Sequence, residues 1–190
     1  MGPDAASLAP EPTARSEVRD LVAEIVAEAV RPLGAQVFKA RSWPLTLPTL
    51  PAVLVYGWDE QKTSASASST HTRFAVSLQM VVQAAVSGID AVAVEADAEA
   101  FAGAIVSSVL TAPGLLGWNG AIERVSGVKT TIEIPKQVDA GKESVGEVSV
   151  TFTCEWAETY DVAPPEDGAC TDCEQTTFSV GVPLSAPLVP

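Results

Sequence analysis

Cys170 and Cys173 stand with two residues between them, a spacing at which paired thiolates can share a zinc ion or close a redox disulfide. A structural zinc site needs four ligands, and the chain offers only Cys154, on a stretch predicted as a buried strand face, and His71 in a distant loop. A redox pair sits at the start of a helix in a βαβ setting, which the surrounding sequence lacks. The context therefore favours two free thiols in a tail, with a disulfide or a metal ligand pair as alternatives. His71 is the sole histidine, so any mechanism using imidazole as general base must use it. It follows a Ser/Thr tract with no Asp or Cys partner placed nearby and reads as a solvated loop residue. Glu155 and Glu158 flank Trp156 and have the look of a carboxylate pair, but strand alternation and the nearby chain exit predict exposed polar residues. The glycines within 113–120 and 141–146 lack the pattern and the strand-to-helix context of a phosphate loop. No residue pattern specifies an enzyme, a cofactor or a metal, and none is expected.

The elements that would position these groups are easier to read. Residues 1–15 carry Pro3, Pro10 and Pro12 among small residues and cannot bury enough apolar surface to offset their ordering, so a flexible arm is expected. Ser16 is predicted as an N-cap. Val18, Leu21, Val22, Ile25, Val26, Ala29 and Val30 then recur at three-and-four spacing, and Glu17, Asp20, Glu24 and Glu28 lie off that stripe. Pro32 and Gly34 end the helix, and residues 35–40 form a short strand around Val37 and Phe38. Pro44 and Pro48 make 41–49 a loop at the sheet edge anchored by Trp43, and the apolar run 52–56 is a central strand.

Residues 57–72 are rich in Ser, Thr and Ala with no apolar periodicity, which predicts a mobile hairpin tip. Phe74, Val76, Leu78, Met80 and Val82 alternate along the next strand. A helix over 90–110 carries the stripe Val94, Ala98, Phe101, Ile105 and Val109 and stops at Pro113-Gly114. A second hairpin has strands near 121–134 and 146–157 joined by 135–145. In its closing strand Val148, Val150, Phe152, Cys154 and Trp156 share one face. The order helix, three strands, helix, two strands predicts an α+β fold, with an antiparallel or mixed sheet of about five strands and two helices packed on one face. Residues 16–162 form the domain, and 163–190 an extended C-terminal arm in which Phe178, Val180, Val182 and Leu184 alternate with Ser179 and Gly181. No repeat of solenoid period is present.

Composition narrows the function classes. An apolar content of 47% in 190 residues is ample for one core. The formal charge of −13 comes with no run of Lys or Arg long enough to track a phosphate backbone, so sequence-specific DNA or RNA binding is not expected. The first basic residue is Arg15, and Glu24 and Glu28 interrupt the first apolar helix, so neither a secretory signal nor a membrane span is expected. Three cysteines suit a reducing compartment better than a disulfide framework.

The amphipathic helix 18–30, the Val37-Phe38 strand, the apolar run 51–56 and the closing strand ending Thr159-Tyr160 together resemble the tail terminator proteins of long, non-contractile-tailed bacteriophages, the family of the lambda minor tail protein U. The likeness covers roughly 16–162. It implies a homohexameric ring that caps the tail tube, ends its polymerisation and presents a surface for joining the DNA-filled head. The implied partners are other copies of the chain, the tail tube protein and a head–tail connector protein. DNA would pass through the lumen without sequence-specific binding, and the protein would lie at the head-proximal end of the tail in a virion assembled in the host cytoplasm.

Candidate assembly contacts are Trp58, Asp59 and Glu60 at the base of the first loop, and Lys136, Asp139, Lys142 and Glu143 in the second. In the C-terminal arm they are Phe178, Val180 and Val182. A head–tail connector or neck protein and a tail tube subunit share such patterns and stay open as alternatives. A small ligand-binding or enzymatic α+β domain is the reading from another class, and it lacks a cluster of convergent polar residues.

Overall fold

The structure is a computed structural model and describes residues 13–39, 50–67, 71–116, 120–133 and 144–161. It is an α+β fold with a five-stranded mixed sheet and two helices on one of its faces. The elements are α1 (Ala14–Val30), β1 (Gln36–Phe38), β2 (Ala52–Ala67), β3 (His71–Gly88), α2 (Ala91–Thr111), β4 (Arg124–Glu133) and β5 (Ser144–Asp161). The strands lie in the order β1-β2-β3-β5-β4, with β1 parallel to β2 and every other pair antiparallel.

Helix α1 begins earlier than the cap at Ser16 would place it. Thr13, in extended backbone, is the N-cap, and its hydroxyl oxygen accepts from the Ser16 amide at 3.3 Å. Ser16 instead donates its hydroxyl to the Thr13 carbonyl. Both residue types cap well, and the earlier start carries Arg15 to the sheet. Val18, Val22, Ala23, Val26 and Val30 are buried, and Leu21 and Ile25 pack partly against the core. A 3₁₀ turn over Arg31–Leu33 closes on Gly34, whose φ of 74° is the left-handed conformation that glycine adopts without a Cβ penalty. In α2, Asp90 caps the Val92 amide, and Val94, Ala98, Phe101, Ile105 and Val109 are all buried, as the stripe predicts.

The core lies between the helices and the inner faces of β2, β3 and β5. Val53 and Val55 of β2 face Val76, Leu78, Met80 and Val82 of β3 and Val148, Val150, Phe152, Cys154 and Trp156 of β5. Leu54, Val81 and Ala85, on the opposite face, are also buried.

The expected loop over 57–72 is a correction. Residues 59–67 of β2 pair with Thr72–Gln79 of β3, with a register shift between Ser64 and Ser66, and β5 continues beside β3 as far as His71 opposite Asp161. His71 is thus an exposed strand residue. The segment has no apolar alternation because both of its faces approach solvent beyond Lys62, yet main-chain pairing needs no buried face. The loop 41–49 with Trp43, residues 1–12, and the arm 163–190 with Cys170 and Cys173 lie outside the described residues.

Candidate functional site

Three strands continue together as a ribbon made of Asp59–Ala67, His71–Gln79 and Thr153–Asp161, its outer end reaching beyond the core residues Val76 and Trp156. The β2–β3 register shifts between Gly57 and Asp59. This shift turns Glu60 and Lys62 onto the face that also carries Leu78, Val76, Phe74, Trp156, Glu158 and Tyr160. A polar network therefore continues the line of the hydrophobic core.

Lys62 Nζ sits 2.5 Å from Glu158 Oε2, 2.6 Å from the Tyr160 hydroxyl and 3.4 Å from Glu60 Oε1. The Trp156 indole N–H donates to Glu158 Oε1 at 2.9 Å, and the Tyr160 hydroxyl also bonds Glu158. Phe74 meets Tyr160 edge to face, with ring centroids 5.8 Å apart. The hydrogen bonds to Glu158 and Tyr160 hold the Lys62 ammonium above its ordinary range. Burial alone would raise the Glu158 carboxyl, but the bonds from Lys62, Tyr160 and Trp156 outweigh it and hold the group below its usual range. The network joins β2 to β5 across β3. An open cleft of about 620 Å³ separates it from the start of α1, where the Arg15 guanidinium crosses Gly57 and donates to its carbonyl at 2.8 Å.

Glu158 is accordingly not the exposed residue that the chain exit suggests; its side chain keeps 16% of its accessibility. Glu155 lies on the other face of β5, held below the ordinary carboxylate range by the Ser126 hydroxyl and by Arg124, whose Nε is 2.6 Å away. The two carboxylates point to opposite sides of one strand and cannot converge on a substrate. The Cys154 thiol is pushed up to about 12 by burial, which leaves it protonated and unreactive near neutrality. Among the described residues no group of three or more His, Cys, Asp or Glu is placed to hold a metal ion, and no helix is long and apolar enough to cross a membrane.

Of the sequence-predicted contacts, Trp58 is 58% exposed, its ring 6.5 Å from that of Tyr56. Asp59 is exposed beside it, whereas Glu60 turns inward to Lys62. Lys136, Asp139, Lys142, Glu143, Phe178, Val180 and Val182 lie outside the described residues. Sequence reasoning singles out Glu158 only as an exposed residue and misses the roles of Lys62 and Tyr160. The alternation Trp156-x-Glu158-x-Tyr160 was the available signal, but its lysine stands on a strand far earlier in the chain. It also missed Val128 and Ile132 of β4, large apolar residues that remain 42% and 37% exposed.

No protein-family model and no curated protein sequence matches the chain. Solved structures do. One is a chain from the virion of a native gene transfer agent particle, 16% identical, with 70% of this chain and 91% of that chain covered at a TM-score of 0.38. Another is from the sheath/tube terminator of an extracellular contractile injection system, PVC, in its extended state. It is 14% identical, with 82% of this chain and 62% of that chain covered at a TM-score of 0.33. At these identities and TM-scores neither likeness decides what this chain does.

Proposed function

We propose that the chain is a structural virion protein that assembles as a ring, most simply a hexamer, on the end of a phage-like tail tube. There it ends polymerisation and offers a surface for head joining. The observation that carries this reading is the architecture itself: helix, three strands, helix and two strands fold into one mixed sheet with both helices on one face. That is the arrangement implied by the sequence resemblance to tail terminators. Residues 16–162 are the ring-forming module in this reading, and the arms lie outside it. The ribbon supplies a projecting surface with Trp58 and Asp59 at its base, and the polar network stiffens it.

The charge suits the same role. A subunit of formal charge −13 lets a lumen repel phosphate rather than retain it, so DNA passes without being bound by sequence. The tail tube protein and a connector on the head side are the partners this reading requires, and the place is the head-proximal end of the virion tail.

Mass in solution, combined with negative-stain microscopy of the full chain, tests the reading. Closed rings support it, and a monomer at all accessible concentrations refutes it. Copy number per particle then separates a terminator, present as one ring, from a tube subunit, present as many.

A further inference from the structure

β4 is the last strand of the sheet, and among the described residues no strand pairs with its outer side. Val128 and Ile132 lie on its helix-side face, opposite Phe152 and Val148 of β5. They stay exposed because α2 lies over β3 and β5 and only skirts β4. Monomeric sheet proteins blunt such edges with prolines, several charges or short length. β4 spans ten residues, contains no proline, and carries only Lys129 between its terminal Arg124 and Glu133.

We infer that this edge receives residues 178–184 of a second copy of the chain as an added strand. The segment has the composition of an edge strand that pairs on one side only. Phe178, Val180, Val182 and Leu184 share one face, and the intervening positions are Ser179, Gly181 and Pro183. In a strand, the residues whose side chains share a face also aim their N–H groups to the same side. With the apolar set continuing the Val128 and Ile132 face and its amides turned to β4, Pro183 falls in the class whose amides face away, where its missing donor costs nothing. Main-chain bonds then supply affinity, and the apolar face fixes register.

Chain length permits the crossing. β5 ends at Asp161, roughly 20 Å beyond the level of Glu155, which faces the start of β4. Residues 162–177 reach up to roughly 50 Å when extended, enough to leave the subunit and return along a neighbour's edge. The occupant is a neighbour's arm in keeping with the ring reading, and the test below separates it from the subunit's own arm. The inference rests on the assembly reading only in needing a second copy.

Disulfide trapping tests it in the full chain, with Cys170→Ser and Cys173→Ser removing the arm's own thiols and Cys154 buried. One preparation carries Thr130→Cys, on the apolar face of β4, and a second carries Phe178→Cys, Val180→Cys or Val182→Cys. A disulfide needs Cα atoms within about 7 Å, so mild oxidation of the mixture should link the two preparations for at least one of the three arm positions. Ser179→Cys, on the opposite face, should give less than about a tenth of that yield. No linkage at any position, or equal linkage through Ser179→Cys, overturns the inference. So does linkage only within one chain when Thr130→Cys and an arm cysteine are carried together. Rings without linkage would sink this inference alone, whereas linked pairs that never form rings would sink the ring reading and leave the edge pairing standing.

Discussion

Phe152 and Thr151 are neighbours on β5 and should behave oppositely when truncated. Phe152 is fully buried, faces Met80 on one side and Val128 on the other, and is among the largest side chains of the core. Phe152→Ala removes its ring from water-free contact and leaves a cavity that β3 and β5, held by their ladders, cannot collapse. Truncations of this kind cost about 3–5 kcal/mol. Against a total stability of about 5–15 kcal/mol that is a large share. With about 2–4 °C of midpoint per kcal/mol for a chain of this size, the midpoint should fall by roughly 6–20 °C. Thr151 sits on the opposite face beside Val81, partly exposed, and Thr151→Ala should move the midpoint by only a few degrees. The assay is thermal denaturation followed by far-ultraviolet circular dichroism at one fixed protomer concentration, because association raises the apparent midpoint. Equal midpoints for Phe152→Ala and the parent would show that the face assignment is inverted. A large fall for Thr151→Ala would show that the outer face is buried in the assembly instead.

Gly146→Ala should destabilise by about 1–3 kcal/mol, since its Cβ would lie 2.8 Å from Val94 Cγ1 and 3.3 Å from Val86 Cγ2, both buried. Gly103→Ala meets nothing within 4 Å on an exposed turn of α2 and should stabilise by up to about 1 kcal/mol; denaturant midpoints check both. Glu158, held below the ordinary carboxylate range, contributes stability that is present above its unfolded pKa and lost as pH falls through the folded one. Lys62, held above its ordinary range, contributes stability that is lost only as pH rises through its folded value. Stability measured from about pH 7 down to about pH 3 should therefore fall on the acid side, and Glu158→Gln should flatten that limb; an unchanged limb would mean that Glu158 is not linked to folding. Hydrogen exchange should show main-chain protection through Asp59–Ala67, where β2 pairs with β3, and rapid exchange there would restore the loop expected from sequence.

What the sequence reveals follows burial. The stripe of α2 and the alternating face of β5 were legible because each element buries one side, and burial imposes period 3.6 or period 2 on the residues. The start of α1 was missed by three residues because Thr13 and Ser16 both cap well, and only Arg15 bonding the Gly57 carbonyl distinguishes them. The ribbon's sequence points to a loop because Thr63–Ala67 bury neither face, so the ladder that orders them leaves no trace in side-chain type. The sequence alone makes Glu158 look exposed because its partner, Lys62, is brought to it by two strand pairings, each with a register that local sequence does not state.

Replacing the expected mobile loop by a paired ribbon changes how assembly would be achieved. A mobile loop pays ordering entropy when it docks, and little of its Ser/Thr/Ala surface returns that cost. A ribbon already paired over three strands and cross-linked by Lys62, Glu158, Trp156 and Tyr160 has lost that freedom within the subunit. Trp58 and Asp59 are then presented from a fixed strand rather than searched for. The same logic separates the ribbon from the β4 edge. The polar groups on the ribbon's core-side face are paired with one another, whereas among the described residues β4 combines an open outer ladder with two exposed apolar side chains. If the subunit closes into a ring, the ribbon is the rigid part that sets spacing and β4 is the part that gains from a neighbour. Lateral cohesion should therefore be lost by altering β4 or the arm, and the fit to the tail tube by altering the ribbon.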